Sequence, residues 1–230
     1  MRSSVQELLN SLQAATSDEE RQAWAVASAH ALGLGGIAIS YGHELVWFSD
    51  DTSARLEDLQ FVLGQGPSQL LGKKTGTQQL PDLTRLLARR WPQFAAEAEE
   101  LGVAALFVWP VHIGAVQVGT MTGYRRTPGP LSAEQLAQGW LVADALAQQV
   151  LNRWPGNGTT GETGPGPVGA GSVGLHRAEV HQATGVLSER LGVSLAEALD
   201  RLRAQAFSSG LSLPDTAHAV IERELPDATP

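Results

Sequence analysis

The sequence predicts two folded parts of different class: an α+β domain in which an antiparallel sheet is flanked by helices, then a separate all-α module of three short helices. Three observations carry this. Strand-like alternation with tight turns is confined to the first two-thirds of the chain. Residues 155–174 are built mostly of Gly, Pro, Thr and other small residues, with the single charge Glu162. Beyond them come three apolar stripes at helical spacing, punctuated by Gly192, Ser194 and Ser212. The expected boundaries are a domain over 1–154, a flexible linker over 155–174 and a module over 175–225. The linker composition cannot bury enough surface to offset the entropy of ordering it.

Val5, Leu8, Leu9 and Leu12 recur at helical spacing near the start. Ser17-Asp18-Glu19-Glu20 is a capping box opening a second helix with Trp24, Ala27 and Ala31 as its stripe, and Gly33, Gly35 and Gly36 end it. Ile37, Ile39 and Tyr41 alternate as a strand, Gly42-His43 turns, and Leu45 to Phe48 returns, which makes a hairpin. A helix around Ser53–Leu63 follows, then the loop Gly64-Gln65-Gly66-Pro67-Ser68, then mixed helix and loop to Glu100. Strands resume at Ala104–Val111 and Val116–Tyr124, and Ser132-Ala133-Glu134-Gln135 caps a long helix bearing Leu136, Trp140, Ala143, Ala147 and Val150. In the last part, Val180, Ala183, Val186 and Leu187 form one stripe that Gly192 stops. Ser194 to Glu197 opens a helix carrying Ala198, Leu199, Leu202 and Ala206. Ser212 opens a third with Ala217, Val220 and Ile221.

Composition narrows the function classes. The 230 residues are 43% hydrophobic and 17% charged, with a formal net charge of -8, so bulk charge announces no polyanionic partner. The absence of cysteine excludes disulfides, thiolate metal sites and cysteine nucleophiles. No export signal and no long apolar run is legible, so the expected location is cytoplasmic, with no membrane partner. There is no Walker-type loop, no Gly-x-Ser-x-Gly elbow and no His-Glu-x-x-His, and the six histidines are dispersed, so no catalytic residue, metal ligand or cofactor is assigned. Trp24, Trp47, Trp91, Trp109 and Trp140 fit a core, and they also fit the lining of a small-molecule ligand cavity.

The run Leu56-Glu57-Asp58-Leu59-Gln60, then Gly64-Gln65-Gly66-Pro67, Pro81-Asp82-Leu83, Trp91-Pro92, Gly102-Val103 and Trp109-Pro110 resembles the GAF domains found ahead of ANTAR domains in actinobacterial regulators. Many of those relatives place a cysteine after the Gly-x-Gly-Pro turn. This chain has Ser68, so thiol-based sensing cannot operate here. Gln182-Ala183-x-Gly185-Val186-Leu187, Arg190 to Ser194, Glu197-Ala198, Leu202-Arg203, Ala206 and Leu213 to Ala217 resemble the ANTAR module over nearly its whole length.

The resemblance implies a signal-responsive transcription antitermination regulator, a dimer that holds paired RNA hairpin loops in a nascent transcript. Its expected RNA-binding residues are Arg177, His181, Thr184, Arg190 and Arg203. Guanidinium and imidazole groups can read the unstacked bases and phosphates of a loop. Two features run the other way. Residues 175–230 hold five Arg and no Lys against eight Asp or Glu, and Thr184 stands where the family commonly has lysine. Arg190, Arg201 and Arg203, flanked by Glu189, Glu197 and Asp200, equally fit a solvated ion-paired face. The alternative function is therefore a regulatory interaction protein whose last helices dimerize or bind a protein partner. A homodimer is expected through Leu8, Leu12, Leu136, Trp140 and Val150, on helices that the GAF arrangement brings to one face of the sheet.

Overall fold

The computed structural model describes residues 8–12, 15, 17–42, 44–70, 76–83, 90–153 and 177–222. They form two compact units, one built around a sheet and one holding the last three helices. The expected linker over 155–174 lies outside the described residues.

In the N-terminal unit, residues 8–12 are helical. Helix α1 (Asp18–Ala31) starts at a complete capping box: Glu20 N donates to Ser17 Oγ at 3.1 Å and Ser17 N donates to the Glu20 carboxylate at 3.0 Å. Its buried face is Trp24, Ala25, Ser28 and Ala29, continued by Leu32. Ala27 is exposed, so the stripe read from the sequence is rotated from the true one after Trp24. Strands β1 (Gly36–Tyr41) and β2 (Glu44–Phe48) form the hairpin, followed by α2 (Asp51–Leu63), a short 3-10 turn (Pro67–Leu70), β3 (Gln78–Leu80) and α3 (Pro92–Glu100). Strands β4 (Ala105–Ile113) and β5 (Val116–Arg125) and the long α4 (Ala133–Arg153) complete the unit.

The sheet has the order β2-β1-β5-β4-β3, antiparallel throughout. All six residues of β1 are buried because it lies inside the sheet with both faces covered, which hides the alternation expected of a half-exposed strand. On one face, Ile37, Ile39, Phe107, Trp109, Val111 and Met121 pack with α1, α4 and the helical residues 8–12. Trp24 Nε1 donates to Leu8 O at 2.8 Å, Gln149 Nε2 to Leu12 O at 3.0 Å and Tyr41 OH to Leu146 O at 3.1 Å. Leu12 is 1% exposed and belongs to this core, so it is not available to an interface between copies. Leu8, Leu136 and Trp140 are partly buried at its edge. The side chain of Val150 lies outside the described residues.

Helix α4 lies very close to the sheet at Gly139. A Cβ there would stand 2.4 Å from the Trp109 ring, so only glycine permits this approach.

The other face carries α2 and a polar cluster. Glu57, 4% exposed, accepts from Ser40 Oγ at 3.1 Å, Thr122 Oγ1 at 3.0 Å and Gln60 Nε2 at 3.0 Å. Gln60 Oε1 accepts from Ser68 N at 2.9 Å, which ties the Gly-Gln-Gly-Pro loop to α2. Gly66 has φ 109° and would drive a Cβ to 2.6 Å from Gln60, so both backbone and neighbour require glycine. Gln65 Oε1 accepts from Phe94 N at 3.3 Å, capping α3 in place of Trp91, which caps nothing with its side chain. The motif that suggested a family is thus a structural clasp joining α2, the loop and α3. Ser68 sits in it at 9% exposure, where the cysteine of relatives would stand.

The C-terminal unit is α5 (Ala178–Leu191), α6 (Leu195–Ser209) and α7 (Leu213–Ile221), with α5 packed against both others. Ser194 and Ser212 accept from Glu197 N and Asp215 N at 3.2 Å each, and Gly192 and Gly210 end α5 and α6 in the left-handed region. Val180, Ala183, Leu187, Ala198, Leu199, Leu202, Ala206, Leu213, Ala217 and Val220 make its core.

Candidate nucleic-acid interface

Thr184 shares the inward stripe of α5 with Val180, Ala183 and Leu187, and is 5% exposed. Its Oγ1 donates to Val180 O at 2.6 Å, so the hydroxyl is satisfied within its own helix. The threonine that replaces the family's lysine thus faces the bundle. It packs within the bundle and, at an exposure close to the 4% of Arg177, offers little surface to a partner.

The other expected residues are placed differently. Arg177 occupies the N-cap of α5 without capping it by side chain, and is 4% exposed. His181 follows one turn later, its N–H bonded to Arg177 O at 2.9 Å. Arg203 projects from α6, and burial is the main influence lowering its pKa. The nearby Arg177 charge acts in the same direction, while Asp200, accepting from Arg203 Nη1 at 3.0 Å, opposes both. Arg177 thus shows little of its guanidinium to solvent, and His181 stands one turn on along α5. Arg190 stands apart in the exposed last turn of α5. Arg201 pairs with Glu197 at 2.8 Å, as an ordinary i,i+4 bridge.

The small residues divide in the same way. Ala183 and Ala198 are fully buried where helices meet. A Cβ on Gly185 would meet no described atom within 4 Å. A glycine inside a helix costs about 0.5–1 kcal/mol relative to alanine, and no packing contact offsets that here. Lying one turn after His181, Gly185 leaves the α5 backbone open to close approach from outside.

Residues 175–221 match the ANTAR domain family. The C-terminal unit is an ANTAR domain. For the sheet-bearing unit, the GAF domain of a phosphoenolpyruvate-protein phosphotransferase from Coxiella burnetii superposes with a TM-score of 0.51 at 17% identity, covering 64% of this chain and 90% of that one. The GAF domain of the Acinetobacter phosphoenolpyruvate-protein phosphotransferase gives 0.50 at 10% identity, covering 69% and 96%. The chromophore-binding domain of a bacteriophytochrome from R. palustris is matched over 65% of this chain and only 60% of its own length, at 16% identity and a TM-score of 0.47. No curated protein matches the chain. The N-terminal unit has the GAF fold, and the chain has a GAF plus ANTAR architecture.

Among the described residues, no helix is long and apolar enough to cross a membrane, and no group of three His, Asp or Glu could hold a metal ion. One feature of the ANTAR surface escaped the sequence reading: Phe207, 76% exposed near the end of α6. Its signal was present, because the inward stripe Leu199, Leu202 and Ala206 leaves residue 207 off the core.

Proposed function

We propose that this chain is a signal-responsive transcription antitermination regulator whose ANTAR domain binds hairpin loops of nascent RNA. The observation that carries the reading is the ANTAR match over three helices, the first of which places His181 one turn before the open backbone at Gly185 while the second carries Arg203. Guanidinium groups suit phosphates and base edges, and a helix backbone free of side chain admits a splayed base. Arg190 adds a separate exposed cation. The test is crosslinking of the full-length protein to RNA in its native cells, followed by sequencing of the attached RNA. Paired stem-loops upstream of terminators support the reading, and recovery of no specific RNA sinks it.

The proposal includes a homodimer, which places two ANTAR domains side by side for two hairpins. Leu8, Leu136 and Trp140, half-covered at the edge of the core, are the residues through which a second copy would complete the burial. Light scattering on the full-length chain at micromolar concentration checks this, and a monomeric mass contradicts it. The GAF-fold unit is the sensing part, and a small-molecule ligand is its proposed input.

The second reading, a protein-interaction regulator, is favoured by the ion pairing of Arg201 and Arg203 and the acidic balance of residues 175–230. Salt separates the two: RNA binding weakens steeply as salt rises, whereas an apolar protein contact changes little.

A further inference from the structure

We propose that Phe207 is the stacking platform for an unpaired base of the bound RNA loop, an inference that rests on the RNA-binding reading above. Phe207 is the only aromatic among the exposed large apolar side chains of the described residues, at 76% exposure. The core of the domain makes no use of it, since Leu202 and Ala206 carry the inward stripe beside it. The residues that follow, Ser208, Ser209 and Gly210, are too small to cover the ring.

Its surroundings suit a nucleotide. Arg203 lies one turn before Phe207 on α6 and is paired to the exposed Asp200 at 3.0 Å, so a guanidinium that can exchange that carboxylate for a backbone phosphate and a ring for the base stand on neighbouring turns. The carbonyl end of a helix ordinarily repels phosphate. Here that end is occupied by the chain itself. Ser208 Oγ and Ser209 Oγ donate to Gln205 O at 3.0 and 2.8 Å, Ser209 Oγ also to Ala206 O at 3.2 Å, and Gly210 N to Phe207 O at 3.4 Å. The acceptors nearest the ring are already engaged, which blunts their repulsion of an RNA strand.

A second copy of the chain fits this surface less well. Leu211, 45% exposed, is near Phe207 in sequence, but Leu195, 62% exposed, lies at the other end of α6, about 18 Å along the axis. A ring and one leucine fall far short of the roughly 800 Å² per partner of a stable protein interface. One aromatic ring matches the face of one base, and such stacking tolerates any base identity.

The experiment places a photoreactive p-benzoylphenylalanine at position 207, and separately at Arg190, in the full-length chain in its native cells. RNA attached at 207 through loop nucleotides is the expected result. RNA attached at 190 and none at 207 overturns the stacking assignment while leaving the RNA-binding reading intact. A chain-to-chain product at 207 in place of RNA overturns it in favour of a dimer contact. RNA at neither position overturns the reading and the inference together. With the recovered RNA, Phe207→Ala is expected to lose about 5- to 150-fold in affinity, the range of one base–aromatic stack. Phe207→Tyr, which keeps the ring, restores most of it. Equal loss in both variants, each as stable as the parent, overturns stacking as the cause.

Discussion

Replacing Gln60 by alanine removes the side chain that fastens the Gly-Gln-Gly-Pro loop to α2. Gln60 is fully buried and bonds inside the unit, donating to Glu57 Oε2 at 3.0 Å and accepting from Ser68 N at 2.9 Å. Truncation leaves the Ser68 N–H buried and unpaired, which costs about 1–3 kcal/mol. Loss of the bond to Glu57 adds about 1 kcal/mol, and the space left by the missing amide and methylene about 1–2 kcal/mol. The expected total is about 3–6 kcal/mol, or about 6–24 °C in Tm for a unit of this size. All six tryptophans precede residue 155, so tryptophan fluorescence during urea unfolding reports this unit and is silent for the ANTAR domain. A loss below about 1 kcal/mol would refute the clasp, because it would mean that the loop holds its place without Gln60.

Other outcomes follow from the same structure. Gly139→Ala puts a methyl 2.4 Å from the Trp109 ring and is expected to cost about 1–3 kcal/mol by the same fluorescence assay, whereas an unchanged midpoint would contradict the close approach of α4. The Tyr124 hydroxyl holds its proton above the ordinary value of 10.0, first through burial and then through its 2.6 Å bond to Asp50 and that residue's charge. The unfolded tyrosine ionises first as pH rises, so this contribution is complete below about pH 10 and is lost as pH climbs through the folded value. Urea midpoints should therefore fall above about pH 10, and Tyr124→Phe should lack that part of the slope; an identical slope in the variant would remove Tyr124 as its source. In a gel-shift titration, Thr184→Ala should leave RNA affinity within about twofold while Arg203→Glu lowers it about tenfold or more, a difference of about 1.4 kcal/mol or above. Equal losses would mean that Thr184 reaches the RNA after all.

Much of the fold is legible in local chemistry. Ser17, Ser194 and Ser212 start helices because a hydroxyl beside free N–H groups acts within three residues, and all three are found bonded as caps. Of these three the first is the full reciprocal box, whereas the Glu197 carboxylate of the second accepts from Arg201 at 2.8 Å. Strand β3 left no readable signal: three residues at a sheet edge, paired to Leu106–Val108, are too few to show a period. The facing of single residues was harder still. Thr184 reads as polar and so as exposed, yet its hydroxyl finds an acceptor four residues back and joins the core. Leu12 reads as a spare stripe residue, yet Gln149, 137 positions away, bonds its carbonyl and seals it inside. Such contacts depend on which distant elements meet, and no local pattern encodes that.

The strand order has a consequence for the birth of the protein. The β1–β2 hairpin can form as soon as residue 48 is made, but the other edge of β1 pairs only with β5, Gly36 with Tyr124. Those two residues are about 90 apart in the chain, so at about 5–20 residues per second the ribosome takes roughly 4–18 s to deliver the missing strand. Throughout that interval the apolar strand Gly36–Tyr41 has one open edge, and α4, which covers it, emerges later still. Every nascent copy is most vulnerable to pairing with the wrong neighbour in those seconds, before its three ANTAR helices have been translated at all.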